Sequence, residues 1–473
     1  MAELAQAAET RTAPAVAPEG WQPRIVALVC NWCTYAGADM AGTTRRAYPA
    51  SVRPIRVPCT GRIDPLLIVK AFEQGADGVL VSGCHPGDCH YVQGNLVARR
   101  RFTVLRAVTE FLGVDGRRLH FAWVSASEGV KWSRLVDQVT AAVREAGPSE
   151  VWGRSDACRS TVELPAVPPA PRPAPPASAH EAVAGHLRRL AATLLEEGQV
   201  SVVVGYAAGS LPGQMVPAFI TRPEDVAALA WGDGCVNNLA VYLPRARREW
   251  GKVAMVVKRC DARTVVGLLQ ERQVTREDVV LVGVSCPGVV ADGQLALKCY
   301  PCDGEVASAC DFTVAPDGAR QGAVPSGAAR AVAADPRDAL VAHLESLAPG
   351  ARWGYWQDQF ARCLRCYGCR AVCPLCYCAV CVAEKNRPQW VPTSIDARGN
   401  LIWNLTRALH LAGRCGGCDE CARICPADVR LDLLNHRLRT EVETRWGYRS
   451  GEDPGAAPPL LTFRPDDAQE FIR

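Results

Sequence analysis

Long apolar segments are absent from this chain of 473 residues. No run of apolar residues approaches the roughly 20 that a helix needs to cross a bilayer, so we expect no membrane span. Residues 1–20 carry Ala, Pro and Glu but no apolar signal core, so we expect no export signal. The net charge of +4 is small for this length and does not support nucleic acid or an anionic membrane as a partner. We therefore expect a cytoplasmic protein.

Familiar catalytic motifs are absent as well. The chain has no Walker A run, no HExxH motif and no Ser–His–Asp arrangement, and the segment YAAGSLPG at 206–213 is too loose for a dinucleotide fingerprint. Cysteine, in contrast, is abundant: there are 23, most of them in C-x2-C-type clusters. A disulfide framework is expected in short secreted chains, which this is not. The cysteines therefore predict metal centres in a reducing cytosol, and an anaerobic setting.

Two cysteine runs near the C-terminus carry the most specific pattern. Residues 363–374 (CLRCYGCRAVCP) and 415–426 (CGGCDECARICP) both read C-x2-C-x2-C-x3-C-P. This is the spacing of bacterial two-cluster ferredoxins, in which the fourth cysteine of each run ligates the other cluster. We therefore predict two 4Fe–4S clusters, one on Cys363, Cys366, Cys369 and Cys425, the other on Cys415, Cys418, Cys421 and Cys373. The alternative is zinc, which usually binds paired C-x2-C knuckles instead.

Three further thiols, Cys376, Cys378 and Cys381, follow the first run directly. With Cys373 they could bind another metal, or they could compete for the ligand positions of the first run. The sequence leaves these two possibilities open.

The N-terminal part alternates strands and helices. A continuous apolar run predicts a buried parallel strand at 24–30, and further strands are predicted at 52–59, where prolines weaken the pattern, at 76–84 and at 119–125, with helices between or after them. The carboxyl ends of such strands share one edge, where sites form. Three cysteines end predicted strands and two more lie on loops at that edge: Cys30, Cys59 and Cys84, then Cys33 and Cys89. The alternative is a group of ordinary buried free cysteines.

Three segments of this part carry a resemblance to a known family: CNWCTYAGADMAGTTRR, VPCTGRIDP and SGCHPGDCHY. Residues 24 to about 147 resemble the delta subunit of methyl-viologen-reducing hydrogenase. The resemblance implies a flavodoxin-like fold that holds a 2Fe–2S cluster instead of a flavin, with four of the five cysteines as ligands and one spare. It also implies electron transfer between a hydrogenase, or another oxidoreductase, and the flavin-containing A-subunit of heterodisulfide reductase.

The middle of the chain reads as a second α/β unit. A proline-rich spacer at 164–180 precedes it, and predicted strands at 252–257 and 277–286 are each followed by or end in a cysteine. KRCDAR (258–263) and VGVSC (282–286) resemble beta subunits of deazaflavin-coenzyme-reducing hydrogenases and formate dehydrogenases. That resemblance implies a third 4Fe–4S cluster on Cys286, Cys299, Cys302 and Cys310, and an FAD faced by Lys258, Arg259 and Asp261. The alternatives are a structural zinc for the thiols and an ion pair or helix cap for the charges.

These features predict an α/β chain with a flavodoxin-like parallel sheet, a proline-rich linker, a second α/β domain and a ferredoxin-like two-cluster domain. The predicted limits are a disordered tail at 1–22, a 2Fe–2S domain at 23–150, a linker at 151–180, a flavin and iron–sulfur domain at 181–335, a two-cluster domain at 351–436 and a tail at 437–473. The proline-rich boundary predicts that the first domain folds by itself.

The function predicted first is an electron-transfer subunit of an oxidoreductase complex. By resemblance, its partners are a flavoprotein like the A-subunit of heterodisulfide reductase and a hydrogenase, a formate dehydrogenase or an NAD(P)H-oxidising enzyme. The second interpretation is a flavin-containing catalytic beta subunit that oxidises or reduces a diffusible carrier, either deazaflavin or NAD(P)H. The third is a zinc-stapled scaffold without redox activity.

Overall fold

The computed structural model describes residues 19–149, 160–170, 175–291, 293–324 and 331–473. Most of the predicted N-terminal tail, and the linker stretches 151–159 and 171–174, lie outside these ranges. The strands are β1 Ile25–Cys30, β2 Val52–Val57, β3 Gly78–Gly83, β4 Leu119–Trp123, β5 Val202–Ala208, β6 Met215–Ile220, β7 Val253–Val257, β8 Val279–Val284, β9 Val290–Ala291, β10 Gln294–Leu295, β11 Phe312–Ala315 and β12 Gly318–Gln321.

The α-helices of the described ranges follow the same chain order. They are α1 Thr34–Thr43, α2 Pro65–Glu73, α3 Gly94–Leu112, α4 Gly129–Ala146, α5 Ala177–Glu196, α6 Leu243–Trp250, α7 Arg259–Gln270, α8 Pro336–Ser346, α9 Pro349–Ala361, α10 Gly368–Ala371, α11 Ala397–Leu411, α12 Glu420–Arg423 and α13 Leu431–Trp446. None of these helices combines the length and apolar character that crossing a bilayer requires.

The first sheet has four parallel strands in the order β2-β1-β3-β4. Side chains of β1 and β3 alternate between two apolar layers, because successive residues of a strand point to opposite faces. One layer packs against α2 and α3, the other against α1 and α4. The predicted parallel α/β fold is thus confirmed, and α1 is an additional helix between the first two strands.

The second sheet has six strands in the order β12-β11-β8-β7-β5-β6. Its four central strands are parallel, and an antiparallel strand closes each edge. The central strands β7 and β8 are fully buried and match the predicted apolar runs. This confirms a second α/β unit, although the sequence did not predict the edge strands β6 and β12 or their neighbour β11.

The C-terminal helices do not form a separate core. Side chains of α9, α11 and α13 belong to the same buried apolar cluster as those of α2 and α3. Phe111 of α3 and Trp356 of α9 lie with ring centroids 5.5 Å apart. At the end of α3, Gly113 has φ +101°, and a Cβ there would lie 2.2 Å from the carbonyl oxygen of Pro349. Only glycine permits both the left-handed backbone and this close approach.

The C-terminal tail returns to the first sheet. Ile472 forms a parallel bridge with Phe121 of β4, and the Arg473 amide donates to the Phe121 carbonyl at 3.0 Å. Asp467, a few residues earlier in the tail, accepts two hydrogen bonds from the guanidinium of Arg100 on α3, at 2.6 and 2.8 Å. The tail thereby covers the edge strand β4 and ties the last residues to the N-terminal sheet.

Candidate metal centres

Five cysteines meet at the carboxyl edge of the first sheet. Cys30 ends β1, Cys33 precedes α1, Cys59 follows β2, Cys84 follows β3, and Cys89 lies in the next loop. None is more than 8% exposed, and together they form a buried cluster of their own. The topology brings these thiols together as the strand order predicts, because all four strands run in the same direction.

Within this edge the thiols divide into a group of three and a pair. The Sγ atom of Cys84 lies 2.9 Å from that of Cys33 and 3.8 Å from that of Cys30. In the described part of the chain, these are the one group of three or more ligand-type residues with all ligand atoms within 4.8 Å. The other two thiols meet at α3: a Cβ on Gly94 would lie 2.3 Å from Cys59 Sγ and 3.6 Å from Cys89 Sγ.

The electrostatics of the group of three favour one thiolate among thiols. Hydrogen bonds from the Cys33 and Cys84 thiols lower the pKa of Cys30, and the same bonds raise the pKa values of Cys33 and Cys84. Burial raises the pKa of Cys59 to about 11. The thiolate is the form of cysteine that binds metal. A metal centre would therefore replace the protons that now form hydrogen bonds between these sulfur atoms.

The two C-terminal runs interleave around two small pockets. One pocket is bounded by Cys363, Cys366, Cys369 and Cys425, and the other by Cys373, Cys415, Cys418 and Cys421. These are the same two groups of four that the spacing predicts, with the fourth cysteine exchanged between runs. That the groups bind clusters stays a prediction.

Equivalent turns shape both runs. Tyr367 (φ 59°) and Asp419 (φ 56°) adopt the left-handed conformation directly before the short helices α10 and α12. This conformation is unfavourable for residues with a Cβ, so neighbouring contacts must hold it. Trp403 packs edge-on against the Tyr367 ring, and the Arg337 guanidinium donates to both carboxylate oxygens of Asp419.

Two buried cations lie beside these cysteines. Arg407 donates to the Cys369 carbonyl at 2.9 Å; burial lowers its pKa, but the surrounding thiols outweigh burial and raise it overall. Lys298 donates to the Cys418 carbonyl at 3.0 Å. Burial lowers the pKa of Lys298, but the electrostatic effects of Cys260 and Glu420 outweigh burial and raise the pKa overall. Neither cation was predicted from the sequence. Lys298 could have been identified because it directly precedes Cys299. Arg407 lies in an amphipathic helix, where no neighbouring motif distinguishes it from other polar residues.

The middle cysteines have different neighbours in the structure, and the ligand set predicted for them stays a prediction. Cys286 interacts electrostatically with Cys299 and Cys302, and burial raises its pKa to about 12. Cys310 instead packs against Gly283 and Val306 in the sheet, with Asp311 and Arg276 as its charged neighbours. Cys260, which follows β7, interacts with Cys299 and with Lys298. Cys260 and Cys286 thus share Cys299 as an electrostatic neighbour.

The charged residues predicted to face a flavin have protein partners. Lys258 and Asp261 are buried and form an ion pair of 2.7 Å, and Lys258 also donates to the Asn237 carbonyl. Asp261 is not the N-cap of α7; it lies in the first turn, and its carboxylate accepts from the Lys258 amide at 3.2 Å. Arg259 pairs with Asp303 and Glu452. The described contacts match the ion-pair alternative, and the flavin at these residues stays a prediction.

Residues 25–147 match the family described as methyl-viologen-reducing hydrogenase, delta subunit. The chain is 49% identical over 130 residues to the iron-sulfur D-subunit of the F420-non-reducing hydrogenase of Archaeoglobus profundus, a match that covers 28% of this chain and 95% of that protein. It is 43% identical over 126 residues to the A-subunit of the ferredoxin/F420H2-dependent CoB-CoM heterodisulfide reductase of Methanosarcina acetivorans, covering 27% of this chain and 16% of that protein.

A solved structure also overlaps with part of the chain. It is a xenon-derivatised F420-reducing [NiFe] hydrogenase complex from Methanosarcina barkeri, with 21% identity and a TM-score of 0.19 over 22% of this chain and 40% of that one. An overlap of this size carries no argument about function.

Proposed function

We propose that this chain, which belongs through residues 25–147 to the family of methyl-viologen-reducing hydrogenase delta subunits, is an iron–sulfur electron-transfer subunit of an oxidoreductase complex. The observation that carries the proposal is the buried group of five cysteines at the carboxyl edge of the first sheet. Thiolate ligands at a buried sheet edge suit an iron–sulfur cluster, which exchanges one electron at a time.

A 2Fe–2S cluster in the first sheet domain needs two thiolates on each iron. The observed grouping supplies them: Cys59 and Cys89 serve one iron, and two of the three thiols Cys30, Cys33 and Cys84 serve the other. The spare cysteine is therefore one of the group of three.

Two 4Fe–4S clusters are proposed for the exchanged groups of the C-terminal runs, because four thiols surround each of the two pockets. A third 4Fe–4S cluster is proposed for the middle unit. Its ligands would be Cys260, Cys286, Cys299 and Cys302. In this set Cys260 replaces Cys310, which the sequence predicts as the fourth ligand.

Two buried cations lie between cysteine groups, which supports the transfer of electrons from one group to the next. Lys298 reaches from the middle cysteines to the Cys418 carbonyl, and Arg407 lies between the two C-terminal groups. Both cations favour an added electron on a neighbouring cluster, because they stabilise its more negative state.

The partners are proposed from the relatives. One matching protein belongs to a hydrogenase, and another is the A-subunit of a heterodisulfide reductase. We propose that the chain carries electrons between a flavoprotein like that A-subunit and an enzyme that oxidises hydrogen, formate or NAD(P)H. The site of action is proposed to be the cytoplasm.

Replacement of Cys59 by serine tests the first site. Because Cys59 has only Cys89 as a neighbour on its side, Cys59→Ser should abolish the 2Fe–2S signal in electron paramagnetic resonance of the anaerobically purified, reduced chain. The 4Fe–4S signals should remain. Cys310→Ser is the matched control, since it removes a buried thiol outside every proposed group and should leave all signals intact. A full 2Fe–2S signal in Cys59→Ser would contradict the proposed ligand pair.

A further inference from the structure

We infer that a large cavity between the first sheet domain, the end of α7 and the C-terminal helices is a binding site for a flavin nucleotide. This interdomain cavity measures about 970 Å³, does not include Lys258, and shares Arg407 and Leu411 with the pocket bounded by Cys373, Cys415, Cys418 and Cys421. Its walls come from the start of α2, from α3, from the loop after the first cysteine run and from α11.

The size and the walls of the interdomain cavity suit a large planar ligand. Cofactor sites usually enclose about 300–1,000 Å³ and are lined by apolar and aromatic side chains with a few polar groups. Three aromatic side chains line this cavity: Tyr377, Trp390 and Trp403. Rings of this kind pack well against the faces of other aromatic systems, such as the three-ring system of a flavin.

The charge of the interdomain cavity suits phosphate. Among its cations, Arg414 pairs with Glu271, Arg370 with Glu384, and His410 with Asp64. Arg101 interacts electrostatically with Asp64. Three others form no ion pair within the described residues: Arg62, Lys385 and Arg407. Positive charge without a carboxylate partner attracts an anion, and phosphate oxygens form strong charge-assisted hydrogen bonds with such groups.

The interdomain cavity adjoins the proposed relay. Its wall includes Cys376, three residues after Cys373, and Arg407, which donates to the Cys369 carbonyl. A fully reduced flavin here would give two electrons, one to each of two oxidised clusters, and release two protons to solvent. This redox role rests on the proposed function, whereas the binding itself does not.

Binding is tested on the full-length chain by titrating FMN or FAD and following the quenching of flavin fluorescence, with NADH and NADPH titrated in parallel. We expect one flavin per chain. Lys385→Gln and Trp390→Leu should each weaken flavin binding about tenfold or more. The first variant removes a positive charge that can bind the phosphate, and the second removes an aromatic side chain that can pack against the flavin ring system. Both side chains are partly or fully exposed, so the fold should tolerate the changes.

Two control variants locate the site. Lys252→Gln removes an exposed cation outside the cavity, and Arg259→Ala removes a charge at the other predicted flavin site; neither should change the affinity. Absence of flavin binding, binding of NADH or NADPH alone, or flavin release by Arg259→Ala in place of Lys385→Gln would overturn the inference. Iron and sulfide contents of the same samples separate this failure from failure of the proposed function.

Discussion

At the scale of single residues, the buried cations give the sharpest expectations for cluster chemistry. Lys298 is 9% exposed, donates to the Cys418 carbonyl and lies 3.6 Å from Glu420. A fixed positive charge stabilises the reduced, more negative state of a nearby cluster. Its removal should therefore make that cluster harder to reduce.

Lys298→Met should lower the midpoint potential of the cluster held by Cys415, Cys418, Cys421 and Cys373. A Coulomb interaction of about 1–2 kcal/mol at a partly screened site corresponds to on the order of 50–100 mV for one electron. A redox titration followed by electron paramagnetic resonance measures the shift, with Lys252→Met as the control on the surface. An unchanged or higher potential in Lys298→Met would show that the lysine has no electrostatic role at the cluster.

The middle cysteines show how little residue-level reasoning can say about ligands that are distant in the sequence. The C-terminal groups could be predicted because their ligand spacing is local, within runs of 12 residues. The middle group depends on strand direction. Cys260 and Cys286 follow parallel strands, whereas Cys310 precedes β11, which the sequence did not predict. Cys310 therefore lies before a strand, and its thiol packs against Gly283 of β8.

Cysteine replacement in the middle unit distinguishes the two ligand sets. Cys260→Ser should lose about four irons per chain, and Cys310→Ser should lose none, because a 4Fe–4S cluster needs four thiolates. Iron and sulfide analysis of the anaerobically purified variants measures this. The reverse pattern would restore the ligand set predicted from the sequence.

At the scale of elements, the start of α3 lies against the first cysteine group. Gly94 opens this helix, and its missing side chain leaves room for the Cys59 thiol. In Gly94→Ala, the added Cβ would displace the Sγ atom of Cys59. We expect loss of the 2Fe–2S signal with the fold retained.

The matched control for this prediction is Gly354→Ala in α9, where a Cβ would meet no atom within 4 Å. That variant should keep its clusters and unfold at the same or a higher temperature. Circular dichroism follows the helices in both variants, and electron paramagnetic resonance follows the clusters. A Gly94→Ala chain with a complete 2Fe–2S signal would mean that the helix start does not constrain the site.

The elements themselves were predictable to different degrees. Buried central strands such as β1, β3 and β8 carry continuous apolar runs, so their sequences identify them. The edge strands β6 and β12 are partly exposed along most of their length, so they lack this signal. The fold class was therefore predictable from the sequence, but not the complete second sheet.

At the scale of the whole molecule, the chain's last residues are joined to the first domain through buried charge. Arg99 and Arg100 are 1% and 3% exposed and share the carboxylate of Asp467 near the C-terminus. Asp467→Ala leaves two buried guanidinium groups without their counter-charge. Removal of one partner of a buried ion pair typically costs about 3–5 kcal/mol.

Chemical unfolding of the full chain should show that loss in Asp467→Ala. Asp225→Ala removes a carboxylate from an exposed pair with Arg222 and should leave the free energy of unfolding unchanged within error. Equal stability of the two variants would show that the tail does not secure the first sheet.

The packing of the domains could not be read from the sequence. The proline-rich tract predicts an independent first domain, yet α3 shares its apolar core with α9, α11 and α13. Sequence periodicity shows that a helix has an apolar face, but not which helix covers it. The same limit explains why the interdomain cavity, formed by three distant parts of the chain, left no motif.

The central claim is that the cysteine groups hold redox-active iron–sulfur clusters in series. Metal and sulfide analysis of the anaerobically purified full chain, combined with Mössbauer spectroscopy during stepwise reduction, tests it most directly. We expect about ten to fourteen irons per chain with a similar amount of sulfide, divided between one 2Fe–2S cluster and two or three 4Fe–4S clusters that take up electrons singly. Zinc in place of iron, with no sulfide and no uptake of electrons, would contradict it.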